Sequence, residues 1–326
     1  MINFNQITIL SFLCCAIVPL LITGPFLPDL LISLLSIWFL YYCFANKLYY
    51  LFKNKFFYVF LAFCLYCIFS SLLSDNVLLS FESSLFYFRI GIFCILISYL
   101  IDKDKKILDY FFYSLIISFS VLIIYAFIEY FFQLNKHPVR ISSLFGDELI
   151  LGSYLSRLLP LCIALYYIRK NKSFLEKQFF LIFLVFTYFT VILSGERSAF
   201  FYINLSFLFI LFFIRPNLKL ILPAIIICSS LIFVFYISIL KTEQGNQILT
   251  RYTKSVVASM NLDLFFKKNE ILEADQNTNE ERIYFFTAGH ETLYRTAFNM
   301  FLDRPVIGHG PKMFRVKCDD PKYAEV

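Results

Sequence analysis

The chain has 326 residues, of which 60% are hydrophobic, 20% aromatic and 16% charged, and its mean hydropathy is +0.72. Soluble domains are about half apolar and about a quarter charged, so this composition excludes a soluble globular protein and indicates an integral membrane protein. The net charge of +6 does not predict a nucleic-acid partner, because the basic residues lie in short loops between apolar runs.

Apolar runs occupy the first three quarters of the chain. A spanning helix takes about 20 mostly apolar residues, and about nine runs approach that length. The first has no preceding Lys or Arg and no small-residue cleavage site, so it predicts a spanning helix rather than a removed signal peptide. The sequence predicts an all-α fold, a polytopic transmembrane helix bundle within residues 1–240. Its candidate spans are roughly 7–23, 27–45, 56–73, 84–101, 108–132, 148–168, 178–194, 198–214 and 219–240.

The basic residues of the loops predict the orientation of the chain. Cytoplasmic loops of membrane proteins are enriched in Lys and Arg. The opposite set of loops carries only Lys136, Arg140 and Arg197. We therefore expect a cytoplasmic N-terminus, with Arg197 and residues 241–326 on the outer face. The rich, cytoplasmic set comprises Lys47, Lys53, Lys55, Lys103, Lys105, Lys106, Arg169, Lys170, Lys172, Lys177, Arg215 and Lys219.

Charged side chains cluster on the predicted outer side, close to the ends of spans. An ionised residue in a span costs a few kcal/mol, so it usually faces a cavity or a partner. We interpret these charges as the lining of a shared polar pocket. The alternatives are arginines that extend to the lipid headgroups, or structural pairing with Glu82, Asp147 or Glu148. The cluster consists of Arg89, Asp147, Glu148, Arg157, Glu196 and Arg197.

Cysteine and histidine usage predicts neither a disulfide framework nor a metal site. Eight of the nine cysteines lie inside apolar runs, and Cys64 and Cys67 form a single CxxC within one of them. The chain has 3 His, and it contains neither a GxxxxGK[ST] nor an HExxH pattern. We expect no metal and no cofactor.

The outer segment, residues 241–326, contains one clear helical pattern. Apolar residues recur at three- to four-residue spacing and predict an amphipathic helix from about 288 to 303, which His290 opens. A polar row spaced by four runs along its other side, where neighbouring charges can pair. That row predicts a solvated helix face or a face that contacts substrate. The apolar row is Phe286, Leu293, Ala297, Met300 and Phe301, and the polar row is Glu291, Arg295, Asn299 and Asp303.

A turn-rich basic stretch, RPVIGHGPKMFR, follows this helix. Pro305 ends the helix, and Gly308, Gly310 and Pro311 are typical turn residues. Backbone N–H groups released by such a turn suit a diphosphate or another anion, especially beside basic side chains. Those side chains are Arg304, Lys312 and Arg315.

Four stretches together resemble the O-antigen ligase and polymerase family of bacterial envelope glycan assembly. They are FRIGIF at 88–93, LFGDELILGSYLSRLLP at 144–160, LSGERSAF at 193–200 and HETLYRTAFNMFLDRPVIGHGPKMFR at 290–315. The resemblance implies a multi-pass protein of the bacterial inner membrane with 241–326 in the periplasm. It also implies metal-independent, inverting transfer of a sugar chain from undecaprenyl diphosphate, with membrane lipid around the site. The acceptor is lipid A-core for a ligase and another glycan repeat for a polymerase.

The resemblance implies roles for the charged residues as well. Guanidinium groups at the outer face would hold the lipid diphosphate, and their two-pronged geometry suits its oxygens. We expect Arg89, Arg157 and Arg197 to act from the membrane side, and Arg295, Arg304 and Arg315 from the outer segment. We expect supporting roles for Glu196, Asp147, Glu148, His290, Gly308, Gly310 and Lys312.

The family's catalytic base has no counterpart among the matched residues. The family pattern continues to a histidine-rich motif and further spans, whereas this sequence ends at CDDPKYAEV. We expect a fragment of a longer protein, with a naturally shortened, donor-binding form as the alternative. None of His137, His290 and His309 is assigned as the base, because a base must reach the acceptor hydroxyl.

Two other function classes remain as hypotheses at this point. Charges inside spans are also found in transporters or flippases of anionic lipids, although the sequence shows no internal repeat and no paired Gly/Pro-broken spans. The amphipathic pattern of residues 288–303 also allows a non-catalytic scaffold that binds lipid-linked glycan.

Overall fold

The computed structural model describes residues 4–134, 140–169, 172–214 and 288–324. Throughout these residues the regular structure is helical, which confirms the predicted all-α polytopic bundle. Seven helical segments there are long and apolar enough to cross a membrane, and Arg197–Ile210 is a shorter apolar helix. The predicted span at 219–240 lies outside the described residues.

The helices follow the predicted spans closely. They are α1 (Phe4–Leu20), α2 (Phe26–Ala45), α3 (Lys55–Leu72), α4 (Val77–Ser84), α5 (Phe88–Lys103), α6 (Lys106–Phe131), α7 (Leu151–Ile168), α8 (Phe174–Leu193), α9 (Arg197–Ile214), α10 (Ala288–Asp303) and α11 (Phe314–Lys317).

Side-chain caps explain where three of these helices begin. The first N–H groups of a helix have no partner inside the helix, and Asn or Ser before the first turn can accept their hydrogen bonds. Asn54 accepts from Phe57 N at 2.7 Å, at the start of α3. Asn76 begins α4 in the same way, and Ser173 begins α8.

The predicted span at 84–101 corresponds to α5, and the structure adds a short helix, α4, directly before it. Phe86 N–H donates to Ser83 O at 3.2 Å, and Arg89 N–H donates to Phe86 O at 3.3 Å. These bonds join residues three apart, whereas an α-helix joins residues four apart. The tighter turn separates α4 from α5.

The chain divides into two compact units. The first comprises Met1–Leu31 and Leu100–Thr253. In it α6 packs against α1, α7 and α8, and α7 also packs against α9. The fully buried side chains of Leu115, Phe119 and Leu122 from α6 and of Leu155 and Leu159 from α7 form the centre of its core.

The second unit comprises Ile32–Tyr99 and Lys254–Val326. In it α3 packs against α4. Gly91 of α5 lies directly against the Phe60 ring of α3, which a Cβ at position 91 would overlap. On α2, Ser36 Oγ donates to Arg89 O of α5 at 2.9 Å. Residues 288–324 belong to this unit and contact α3 and α4.

Candidate functional site

In the first unit, the side chain of Glu196 caps the start of α7. Ile150, the residue before α7, offers no side-chain cap. Glu196 Oε1 accepts from Gly152 N–H at 2.7 Å, while Oε2 accepts from Ser153 N–H at 3.1 Å and from Ser153 Oγ at 2.6 Å. Glu196 is only 7% exposed. It therefore supplies, from the start of α9, the acceptors that α7 lacks locally.

Two glycines allow this close approach. Gly195 has φ +67°, a left-handed conformation that favours glycine, and it forms the turn between α8 and α9. Gly152 lies so close to α9 that an added Cβ would be 2.9 Å from Ala199 Cβ and 3.1 Å from Glu196 Oε1. The first turns of α7 and α9 are thus fixed against each other.

Two exposed arginines lie within the first two turns of these helices, and we refer to Arg157 and Arg197 as the arginine pair. Arg197 is the first residue of α9, and its guanidinium has no hydrogen-bond or ion-pair partner in the described part of the chain. Arg157 lies six residues into α7, about 9 Å along the axis. Its guanidinium carbon is 5.9 Å from the ring centroid of Tyr202 of α9, a cation–π contact that holds the side chain against α9.

Asp147 and Glu148 are exposed just before α7. Glu148 N–H donates to Phe145 O at 3.2 Å and closes a turn there. No ion pair joins either carboxylate to Arg157 within the described ranges, where the arginine instead contacts Tyr202. The structural-pairing hypothesis for Arg157 therefore has no support from these residues.

Arg89 belongs to the second unit, where it lies half-buried in the first turn of α5. Its Nη1 donates to Ser33 Oγ of α2 at 3.0 Å. Glu82, the carboxylate considered as its partner, contacts Lys312 Nζ at 3.0 Å. Arg89 thus joins α2 to α5.

Residues 304–317 dock onto α3 and α4 through backbone carbonyls and ion pairs. Ser70 Oγ donates to Ile307 O at 2.7 Å, and Tyr66 Oη donates to Val306 O. Asp75, between α3 and α4, accepts from Arg304 Nη2 at 3.2 Å and also pairs with Lys317. The Lys317 hydrogen bond is the main cause of a lowered pKa at Asp75.

The predicted turn at Gly308 and Gly310 exists, and it faces a cluster of serines. Both glycines have positive φ, +72° and +100°. A Cβ at position 310 would be 2.5 Å from Ser80 Oγ and 2.9 Å from Ser74 Cβ. Beneath them Ser71 Oγ hydrogen-bonds to Ser84 Oγ at 2.8 Å and to Ser80 Oγ at 3.0 Å.

His309 is buried, and both of its ring nitrogens have partners. Nε2 is 3.1 Å from Met300 O, and Nδ1 is 3.3 Å from Lys317 Nζ. Because an ammonium only donates, Nδ1 accepts and Nε2 carries the proton, which makes the ring neutral. Burial, and then the Lys317 charge, lowers the pKa of His309 below its ordinary 6.5. The ring stacks edge-on against Tyr323.

The remaining predicted residues lie along α10 and α11. His290 is in the first turn of α10, and Arg295 is half-buried further along it. Arg315 is exposed on α11. Arg304 and Lys312 both have carboxylate partners, so their contacts are those of docking residues.

The structure therefore brings the predicted residues together in separate groups within each unit. The first unit combines the arginine pair with Glu196, and the second combines Arg304 and Lys312 with the Gly308–Gly310 turn. Sequence reasoning missed Gly152, Ser153 and Tyr202. Of these three, only Tyr202 could have been identified from the sequence, because it follows Arg197 by about one and a half turns of the same predicted helix.

Comparison with known proteins gives one family match. Residues 180–324 match a family model described as O-Antigen ligase. The matched region is less than half of the chain; it starts in α8 and includes α9, the Gly308–Gly310 turn and α11. Neither a curated protein nor a solved structure matches the sequence.

Proposed function

We propose that this chain is a membrane protein of the O-antigen ligase family and that it transfers a glycan from undecaprenyl diphosphate to lipid A-core. The reaction would take place at the predicted outer face of the bacterial inner membrane. The observation that carries the proposal is the arginine pair, two exposed guanidinium groups within the first two turns of helices that Glu196 fixes together.

The chemistry needs positive charge at a fixed place. The acceptor hydroxyl attacks the anomeric carbon, the bond from that carbon to the diphosphate oxygen breaks, and the lipid diphosphate leaves with the electron pair. Negative charge grows on the diphosphate as this bond breaks. Preorganised guanidinium groups stabilise such a charge more in the transition state than in the bound donor, which is what accelerates the step.

The two arginines suit a diphosphate whose polyprenyl chain stays in the bilayer. Arg197 lies at the end of α9, and Arg157 lies about 9 Å further along α7. Tyr202 orients the Arg157 guanidinium, so less side-chain freedom is lost when a phosphate binds. Two planar donors of this kind can each contact phosphate oxygens through two N–H groups.

The acceptor's proton must go to a base that we do not assign. His309 is buried, its Nδ1 accepts from Lys317, and its Nε2 donates to Met300 O. A general base needs a free lone pair within reach of the acceptor hydroxyl. We therefore give His309 a structural role in holding residues 304–317.

The arginine pair can be tested in the source cell by changing the chromosomal copy. We expect Arg197→Ala and Arg157→Ala each to lower glycan transfer by about 10²–10³-fold, the loss typical of removing one charge-stabilising donor. Arg197→Lys should recover only part of it, because an ammonium restores the charge without the two-pronged geometry. The measurement is glycan-modified lipid A-core per unit of membrane-inserted protein.

Lys177→Ala is the matched control, since it removes an exposed positive charge from the first turn of α8 in the same unit. It should leave transfer unchanged. Full transfer by Arg197→Ala, at normal membrane levels, would show that the proposal is wrong.

The same donor chemistry would serve a polymerase, whose acceptor is another glycan repeat. The product distinguishes the two: a ligase mutant accumulates lipid-linked polymer, whereas a polymerase mutant leaves single repeats. Loss of donor flipping in vesicles, with transfer from supplied donor intact, would instead favour a transporter.

A further inference from the structure

The amphipathic helix α10 is turned opposite to the orientation expected of a helix in water. From Leu293 to the end of α10, one half of the circumference carries apolar and aromatic side chains, and all of them are exposed. We call this row the apolar stripe: Leu293, Tyr294, Ala297, Phe298, Phe301 and Leu302. Near the end of α10, two residues of the polar row contact residues 322–323. Asn299 Nδ2 donates to Tyr323 O at 3.1 Å, and Asp303 accepts from Lys322 and from Tyr323 Oη.

The predicted solvated polar face is therefore wrong for Asn299, which is half-buried against Tyr323, whereas Asp303 is exposed and pairs with Lys322. Half-buried Arg295 is on the same side. The apolar stripe has large side chains, with Phe298 58% and Leu302 59% exposed. A contiguous exposed surface made of several large apolar side chains marks an interaction site rather than a water-facing surface.

The contacts of the following turn show where this surface lies relative to a membrane span. Val306 O accepts from Tyr66 and Ile307 O accepts from Ser70, both on α3, a candidate membrane span. Tyr66 lies six residues before Leu72, the last residue of α3, which is about 9 Å along the axis. The Cα–Cβ bond of a helical residue tilts toward the helix N-terminus, so the Tyr66 side chain starts out away from the Leu72 end. The Val306 carbonyl that it contacts therefore lies beside the span α3 and not beyond its end.

Exposed apolar side chains continue from the stripe to α3. Val306 is 76% exposed beside Tyr66, and Leu73 is 47% exposed at the end of α3. Together with Arg304, Pro305 and Ile307 they line an open cavity. Arg304 provides a cation at its edge, as is common where proteins meet lipid headgroups.

We propose that the apolar stripe and the Pro305–Ile307 turn insert into the headgroup and upper acyl-chain region of the bilayer. The partner of this face is the lipid surface. The carbonyls of Val306 and Ile307 are already hydrogen-bonded to α3, so these two acceptors stay paired when the turn enters the apolar layer. Tyr294, Phe298 and Phe301 are of the aromatic type enriched at the membrane interface.

Tryptophan placed on this face can report its surroundings. The chain has 1 Trp, Trp38, which is replaced by Phe to give a silent background. Phe301→Trp and Val306→Trp are then measured in the full chain, reconstituted in phosphatidylethanolamine and phosphatidylglycerol vesicles. Some vesicles also contain phosphatidylcholine brominated on the upper acyl chain. We expect the brominated lipid to reduce emission at both positions, while aqueous iodide has little effect.

Thr292→Trp is the matched control. Thr292 is exposed on the same helix, nine residues before Phe301 and hence on the opposite side. Its emission should be reduced by iodide more than by brominated lipid. Iodide quenching at 301 and 306 would overturn the proposal by showing a water-facing surface. Protection from both quenchers would overturn it as well, since protein would then cover the stripe.

Discussion

Removing the Glu196 carboxylate should destabilise the first unit more than an ordinary surface substitution would. The carboxylate accepts the N–H groups of Gly152 and Ser153 and the hydroxyl of Ser153. In Glu196→Ala the buried Gly152 N–H loses its partner, which costs about 1–3 kcal/mol. The Ser153 groups are half-buried and can recover some bonding to water, so their loss adds about 1 kcal/mol.

We therefore expect Glu196→Ala to lower the free energy of unfolding by about 3 kcal/mol. Ser153→Ala removes only the 2.6 Å hydroxyl bond and leaves both backbone bonds intact, so its expected cost is about 1 kcal/mol. Glu148→Ala is the control, because Glu148 is an exposed carboxylate three residues before Leu151, the first residue of the same helix. Its effect should stay within about 0.5 kcal/mol.

The assay is reversible unfolding in mixed detergent micelles, followed by far-ultraviolet circular dichroism. The reasoning predicts an order as well as a size: Glu196→Ala first, Ser153→Ala second, Glu148→Ala last. If Glu196→Ala is no more destabilising than Glu148→Ala, Glu196 does not cap α7. If Ser153→Ala lowers the free energy of unfolding as much as Glu196→Ala does, the stabilisation comes from the hydrogen bond of the Ser153 hydroxyl and not from the two backbone hydrogen bonds.

Two further predictions concern residues 304–317. Gly310→Ala should loosen this segment more than Gly308→Ala. Both substitutions replace a glycine with positive φ, which destabilises the folded segment by about 1–2 kcal/mol. Only the new Cβ at position 310 also overlaps Ser80. Protease cleavage rates measure the difference, and equal rates would contradict the steric argument. The segment should also loosen as the pH falls below 6.5, because the lowered pKa of His309 makes the unfolded segment bind more protons there. His309→Gln, which keeps an N–H donor for Met300 O, should flatten that pH dependence of cleavage; an unchanged profile would count against His309 as its source.

Periodicity predicted the helices well because each depends on neighbouring residues. The bounds predicted for the amphipathic helix, 288–303, are those of α10. Its orientation could not be predicted in the same way. A helical pattern has two faces, and which one turns inward depends on its surroundings, here Tyr323 and α3.

The sequence pattern also could not predict contacts between residues that are far apart in the chain. Glu196 was interpreted as one of several charges lining a polar pocket, yet its partners Gly152 and Ser153 lie 44 and 43 residues away. The basic residues near the Gly308–Gly310 turn were expected to bind an anion. The sequence does not show that Arg304 and Lys312 also pair with Asp75 and Glu82, carboxylates more than 200 residues earlier in the chain.

The serine cluster beneath Gly310 has a consequence for how this sequence can change over generations. Ser74 and Ser80 fill the space that any side chain at position 310 would need. The positive φ of Gly310 strains any side chain there as well, so a residue of serine size or larger at 74 and 80 requires glycine to remain at 310. Glycine should therefore be kept at 310 in homologous sequences that carry serine or larger residues at 74 and 80, more than two hundred residues earlier.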